Sequence, residues 1–381
     1  MEMDLIFVDK ISKKKKRWQA GAAAVALMVG STLVFATSAA ASTTTFWQLL
    51  NDNGSARTSE GAAAAYNQAS NVDATVYVWR GATNNNIYFQ SGYGDGRNGT
   101  PEAFPNTSSV NEPSITAVRD GWMILHRGSD NRIYYTTNAG HGGSHSISSF
   151  PVWQAIQVNG QFETTNDTPS VTATPDGNVT VAYRGTDSNL YSVEGHFDSA
   201  GVVAWNSNRA LYRSPGVRQS TAWGPAVVSL ANGHQYMFGN LQDAGHEPFY
   251  MTRSSAYTDW EVAPRAIPGT IAGSLQYTVG RATAAIGNTF EVGYLQADYN
   301  GQRIPTSAEG YNVMRTGYDA ARGWVGYWTP DEQGWRTNAS FSIDLLDEGH
   351  RVRYGELLHS ANLATIDRLY VAYKDIQNLG R

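Results

Sequence analysis

Val179-Thr180-Val181-Ala182-Tyr183-Arg184-Gly185, followed by Asp187 and by Asn189-Leu190-Tyr191, is the stretch on which the reading of this chain turns. An apolar and aromatic run closes on Arg-Gly, a short polar turn follows, and a second run opens with Leu and Tyr. That is the pattern of a β-hairpin with its turn chemistry in place. It occurs twice upstream. Val76-Tyr77-Val78-Trp79-Arg80-Gly81 leads to Asn86-Ile87-Tyr88, and Met123-Ile124-Leu125-His126-Arg127-Gly128 leads to Asp130 and Arg132-Ile133-Tyr134.

Outward from the hairpins the unit grows. Pro113-Ser114-Ile115-Thr116-Ala117 precedes the second hairpin and Pro169-Ser170-Val171-Thr172-Ala173 the third, while Trp153 through Gly160 reads as a closing strand. The Arg residues of successive hairpins stand 47 and 57 residues apart, the longer interval holding the Gly/Ser-rich run from Gly140 to Ser149. Four short strands in about 40 to 50 residues is the signature of a propeller blade. Weaker copies continue the series at Pro225–Val228 with Tyr236–Gly239, at Ala282–Ala285 with Phe290–Tyr294, and at Ala361–Ala364 with Leu369–Lys374. The last copy runs out before a fourth strand. Trp47-Gln48-Leu49-Leu50-Asn51-Asp52-Asn53-Gly54 aligns without gaps to Trp153–Gly160, so the N-terminal strand is expected to complete the C-terminal blade and protect its edge. The fold expected is all-β: a six-bladed β-propeller closed by its N-terminal strand, with a seventh blade or a large inserted loop left open for Gln302 to Ser360.

Composition agrees. Among 381 residues, 38 Gly and 12% aromatic side chains fit turns joined by aromatic-rich strands and speak against a helical bundle. The absence of Cys excludes a disulfide scaffold, a Cys-ligated metal and a cysteine nucleophile. Five of the six lysines are Lys10 and Lys13 to Lys16. With Arg17 they form a basic head before the apolar Ala20–Ala36, and Ala39-Ala40-Ala41 before Ser42 offers a small-x-small cleavage site, so residues 1–41 read as a secretory signal peptide. Residues 42–381 then form a single propeller domain, exported to the extracellular medium. Cleavage takes the formal charge from −5 to −8 and leaves no basic run able to neutralise several phosphates. The partners expected are therefore a glycan or polysaccharide, with no nucleic acid and, after cleavage, no membrane.

The run from Trp153 through Gly160, Pro169 and Arg184-Gly185-Thr186-Asp187 to Leu190-Tyr191 resembles the repeat of bacterial propeller lectins of the Arg-Gly-Thr-Asp type. The likeness spans roughly residues 70 to 195. Fungal fucose-binding lectins and sialidases are similar more loosely. The lectin resemblance implies sugar binding between blades, in pockets lined by Arg and aromatic side chains. The candidate ligand-binding residues are Trp79, Arg80, Tyr88, Arg127, Tyr134, Arg184 and Tyr191. The fourth to sixth units depart from the pattern by lacking Arg-Gly.

The chemistry suits the role: a guanidinium offers a planar fork of donors to vicinal hydroxyls, and an aromatic face packs the apolar side of a sugar ring. The same residues also admit a structural reading, with Arg tying turns to the neighbouring blade, Tyr packing the core, and Asp130 and Asp187 closing their own turns. Residue types alone leave both open. An enzyme, a sialidase-type glycoside hydrolase or a polysaccharide lyase, would draw on unrepeated residues of the later half: Asp298, Glu309, Asp319, Asp344, Asp347, Glu348, His350, Tyr354, Glu356 and His359. Ser254–Trp260 resembles the sialidase Asp-box only faintly, lacking its Gly. A third reading is a scaffold binding protein on its rim. No cofactor is expected, and His141 and His145 sit among glycines that disfavour a preformed metal site.

Overall fold

The computed structural model describes residues 45–49, 58–67, 74–93, 99–141, 146–242, 247–268, 277–296, 311–330, 336–337, 342–348, 351–359 and 369–376. The expected signal peptide lies outside them. Apart from one 3-10 turn at Ile147–Ser149, the elements among the described residues are β-strands.

The strands gather into small antiparallel sheets, the first four of them meanders in chain order. The first sheet is Thr58–Asn67, Ala74–Gly81, Ile87–Tyr93 and Glu102–Ala103. The second is Ser114–Val118, Gly121–Arg127, Ile133–Thr137 and Gln154–Ala155, and the third is Ser170–Ala173, Asn178–Arg184, Leu190–Phe197 and Val203–Ala210. The fourth is Ala226–Ser229, Gln235–Asn240, Pro248–Arg253 and Arg265–Ala266. Tyr277–Ile286, Thr289–Gln296, Tyr311–Asp319 and Gly323–Pro330 form the next, and Arg336–Thr337 adds a fifth strand by pairing with Tyr311–Asp319. The terminal sheet is Ser342–Glu348, Arg351–His359, Leu369–Ile376 and, from the other end of the chain, Thr45–Leu49.

The innermost strands touch in succession around a ring, and Ser342–Glu348 returns to Thr58–Asn67. Between neighbours, Ser170 Oγ accepts from the Val227 amide at 3.1 Å and Thr172 Oγ1 from the Ser229 amide at 2.9 Å. The ring surrounds a central cavity of about 240 Å³ lined by small residues such as Ala64, Ala117, Thr172 and Ser229. The sheets therefore have a propeller arrangement, closed by Thr45–Leu49 in the register Trp47 opposite Ala372.

Three expectations are corrected. Among the described residues five sheets have the four-stranded form of a blade, not six or seven; one other is five-stranded and two are small two-stranded pairs. Gln302 to Ser360 makes no additional blade, because its strands enter the five-stranded and terminal sheets. Leu369–Ile376, expected as the second strand of the last unit, is its third, since an apolar run fits any strand covered on both faces. Trp153–Gly160 also differs from a plain closing strand. Only Gln154–Ala155 pairs in the sheet, and Gln157–Val158 turns back on Gln161–Phe162 through Asn159 and Gly160 at φ 51° and 78°, the Asn-Gly signature of a tight hairpin.

Sandwiching makes the second strands continuous apolar runs. Trp122, Met123, Ile124 and Leu125 are all completely buried, so neither face of that strand meets water. Ile124 packs with Val76, Val78 and Phe89 of the first sheet, and Leu125 with Val179, Val181 and Val193 of the third. Each such side chain contributes roughly 1.5–3 kcal/mol by leaving water.

Candidate functional site: a cleft between the first and second sheets

The Arg-Gly turn is built alike in three sheets. Its bend is carried by Asn85, Asn131 and Ser188, all left-handed at φ 58°, 64° and 65°. In the second and third sheets an Asp closes the turn: Asp130 Oδ1 accepts from the Arg132 amide and Asp187 Oδ1 from the Asn189 amide, both at 3.1 Å. Their other oxygens accept from the hydroxyls of Tyr134 at 3.0 Å and Tyr191 at 2.8 Å. In the first sheet Asn84 Nδ2 donates to the Tyr88 hydroxyl at 2.8 Å. The Tyr ring lies against the glycine: a Cβ on Gly128 would stand 2.6 Å from Tyr134, and one on Gly185 would stand 2.6 Å from Tyr191. No other residue fits there.

Each Tyr also stacks on the side chain that precedes the Arg. The pairs are Trp79 with Tyr88 at 5.7 Å, His126 with Tyr134 at 5.4 Å and Tyr183 with Tyr191 at 5.5 Å. The three arginines serve the scaffold. Arg80 donates to the Ser109 carbonyl at 2.9 Å and to Asn85 Oδ1. Arg127 donates to Asn131 Oδ1, to Asn111 Oδ1 at 3.1 Å and to the Asn166 carbonyl at 2.7 Å. Arg184 donates to the Thr221 carbonyl at 2.9 Å and Ser188 Oγ at 2.8 Å. Each guanidinium thus ties its own turn to the linker that enters the next sheet.

Where the first sheet's exit linker meets the second sheet, a cavity of about 770 Å³ opens, within the range of about 300–1,000 Å³ usual for small-molecule sites. Phe104 and Phe150 form one aromatic wall with Trp153, whose ring meets Phe104 edge-on at 5.3 Å and His126 at 4.7 Å. Asp130, Tyr134 and the Asn106–Ser108 segment supply polar groups. Two polar atoms in the cleft are buried without a partner: His126 Nδ1 and Trp153 Nε1. The His126 side chain is 4% exposed. Burial brings its pKa down to about 4, against the opposing pull of the Arg127 backbone and the Asp130 carboxylate, so the ring is neutral near pH 7. An unpaired buried donor costs about 1–3 kcal/mol, a cost removed when a ligand supplies an acceptor.

Of the seven candidates read from the sequence, Tyr134 lines this cleft. Trp79, Arg80, Tyr88, Arg127, Arg184 and Tyr191 are not among its lining residues. Missed by the candidate list were His126, Trp153 and Phe104. A signal existed for His126, because the position before Arg-Gly reads Trp79, His126 and Tyr183 while its surroundings repeat. Asp319 is half-buried and caps its own turn, accepting from the Ala321 amide at 2.8 Å. Asp298, Glu309, His350 and His145 lie outside the described residues, as do the side chains of Asp344, Asp347, Glu348, Tyr354, Glu356 and His359. In the Asp-box-like stretch, Asp259 pairs with Arg209 at the surface and Trp260 Nε1 donates to Ser192 Oγ at 2.9 Å, both structural contacts.

The equivalent cleft between the second and third sheets is filled. Tyr134 faces Ala155 as Tyr191 faces Ala210, which makes Trp153 and Asn208 equivalent. The linker amides of Ser109 and Thr165 bond to Asn85 and Asn131, which makes Thr107 and Glu163 equivalent. There Tyr183 donates to Glu163 Oε2, and Asn208 Nδ2 bonds both Glu163 and the Tyr183 hydroxyl, the latter at 2.7 Å. Burial raises the Glu163 pKa above its ordinary value, and the bonds from Tyr183 and Asn208 oppose that shift. Beyond it, Arg253 is wholly buried between the third and fourth sheets, 2.7 Å from Glu194, with Thr180 and Gln235 taking its remaining donors.

The architecture is that of a β-propeller, and the solved structures similar to it agree on the fold. It superimposes on a triple Arg-to-Ala mutant of AofleA from Arthrobotrys oligospora with a TM-score of 0.56 and 10% identity, covering 88% of this chain and 90% of the other. For the fucose-specific lectin of Aleuria aurantia the TM-score is 0.53 and the identity 10%, over 84% and 97%. For a protein of unknown function from Dyadobacter fermentans the values are 0.52 and 11%, over 83% and 94%. No protein-family model and no curated protein sequence matches the chain.

Proposed function

We propose that this chain is an exported, lectin-like propeller that recognises glycans in the cleft between its first two blades. The observation that carries the reading is the pair of buried, unpartnered ring nitrogens, His126 Nδ1 and Trp153 Nε1, beside an aromatic-walled cavity. A sugar offers what that cavity lacks: hydroxyl oxygens for the two ring nitrogens and an apolar face for the aromatic walls. The similar structure from Aleuria aurantia is a fucose-specific lectin, which supports a saccharide ligand on this fold. The basic head, apolar run and Ala39-Ala40-Ala41 site support export.

Two measurements test the proposal. N-terminal sequencing of the protein recovered from culture medium should begin at Ser42; an intact N-terminus would refute export through cleavage. That protein should bind discrete members of a glycan array, and binding should fall about tenfold with Trp153→Phe, which keeps the aromatic wall and deletes the N–H. An array without a ligand would overturn the glycan reading.

A further inference from the structure

We infer that the cleft between the first two sheets takes neutral saccharides and refuses carboxylated ones; the inference rests on the saccharide reading above. Its basis is the inventory of charge at the cavity. The lining residues include one carboxylate, Asp130, and no Arg or Lys. The two cations nearest in sequence are already engaged. Arg127 spends its donors on Asn111, Asn131 and Asn166. Arg132 lies 3.4 Å from Asp130 Oδ2 and 3.7 Å from the centre of the Phe162 ring.

A uronic or sialic acid entering this space would bring its own charge toward Asp130 and exchange water for a largely apolar wall of Phe104, Phe150 and Trp153. Burying an unpaired carboxylate is among the costliest events in recognition. His126 does not relieve it, because its buried ring is uncharged near neutrality. A neutral hydroxyl or ring oxygen, in contrast, satisfies His126 Nδ1 and Trp153 Nε1 with no charge to desolvate. The formal charge of the chain, −5, adds a long-range field of the same sign.

The molecule supplies its own control for Asp130. In the first sheet the equivalent place holds Asn84, which keeps both the turn and the bond to the following Tyr: its Oδ1 accepts from the Asn86 amide at 3.2 Å. Asp130→Asn therefore removes the charge while preserving the local structure, which an unchanged thermal midpoint verifies.

The experiment titrates the secreted protein with matched pairs, followed by tryptophan fluorescence and saturation-transfer NMR. The probes are the methyl glycosides of glucose, galactose and mannose against those of the corresponding uronic acids, and lactose against sialyllactose. The neutral member of at least one pair should bind about tenfold or more tightly than its acidic partner, and Asp130→Asn should narrow that ratio severalfold. Equal or tighter binding of the acidic members, or a ratio that Asp130→Asn leaves unmoved, would overturn the inference while the saccharide reading stands. Absence of binding by every probe and on the glycan array would remove the saccharide reading itself.

Discussion

The clefts on either side of the second sheet are made from equivalent positions, yet one is open and the other is packed shut. In the open one, Thr107, His126 and Trp153 leave two ring nitrogens without partners. In the closed one, Glu163, Tyr183 and Asn208 occupy the same places and bond to one another. The difference teaches that equivalent backbone positions at these two interfaces do not fix the outcome: the side chains before Arg-Gly, on the linker and on the outer strand decide whether the space is filled or left open.

The largest effect expected from breaking this comparison is in pH dependence. The folded pKa of His126 is near 4, against 6.5 for the free side chain. Between those values the unfolded chain binds the extra proton, so the contribution is complete above pH 6.5 and is lost as pH falls toward 4. The amount is about 3 kcal/mol at 1.36 kcal/mol per unit. Denaturant titrations at pH 7 and pH 4.5 should show this loss in the parent and a much flatter response in His126→Phe. In the closed cleft the sign reverses: the raised Glu163 pKa stabilises the protonated form, so its contribution shrinks as pH rises above the ordinary 4.5. Glu163→Gln should flatten that limb.

Next in size, Glu163→Ala should cost about 2–3 kcal/mol, because the buried Tyr183 hydroxyl loses its acceptor and Asn208 one of its two partners. Thr107→Ala, at the matching position of the open cleft, deletes a hydroxyl bonded to the Phe104 carbonyl at 3.0 Å and should cost about 1 kcal/mol. Thermal melts of the two variants measure the contrast; equal losses would show that the clefts do not differ as described. Arg127→Ala should destabilise by about 2 kcal/mol through the freed acceptors on Asn111, Asn131 and Asn166. A ligand-binding Arg would instead leave the denaturation midpoint in place. The smallest effect on stability belongs to Trp153→Phe, which should move it by less than about 1 kcal/mol, because the lost N–H has no partner in the free protein.

Much of the blade was legible because its signals are local. Arg-Gly followed by Asn or Asp is a turn whatever surrounds it, and Gly128 and Gly185 are required by the Tyr rings that lie on them. Closure by Trp47 and its neighbours was readable from one gapless match to Trp153–Gly160. Strand placement failed where sequence periodicity carries no information: Leu369–Ile376 opens with the unbroken apolar run Leu369 to Tyr373, and such a run does not reveal whether it is the second or the third strand of a blade. The cleft was half legible. Tyr134 was named, but the arginines were offered as ligand groups when their hydrogen bonds run to Ser109, Asn166 and Thr221 on the incoming linkers.

The sequence by itself determined the all-β repeat, the turn chemistry, the glycines under the Tyr rings and the strand that returns from the N-terminus, because each follows from covalent geometry or from a motif that recurs along the chain. Tertiary structure alone decided which interface stays open. Phe104, His126 and Trp153 come from a linker, an inner strand and the approach to an outer strand, and only blade packing brings them to one wall. The burial that leaves two of their nitrogens unpaired is a property of that packing, since a donor is unsatisfied only when its neighbours exclude water and offer no acceptor.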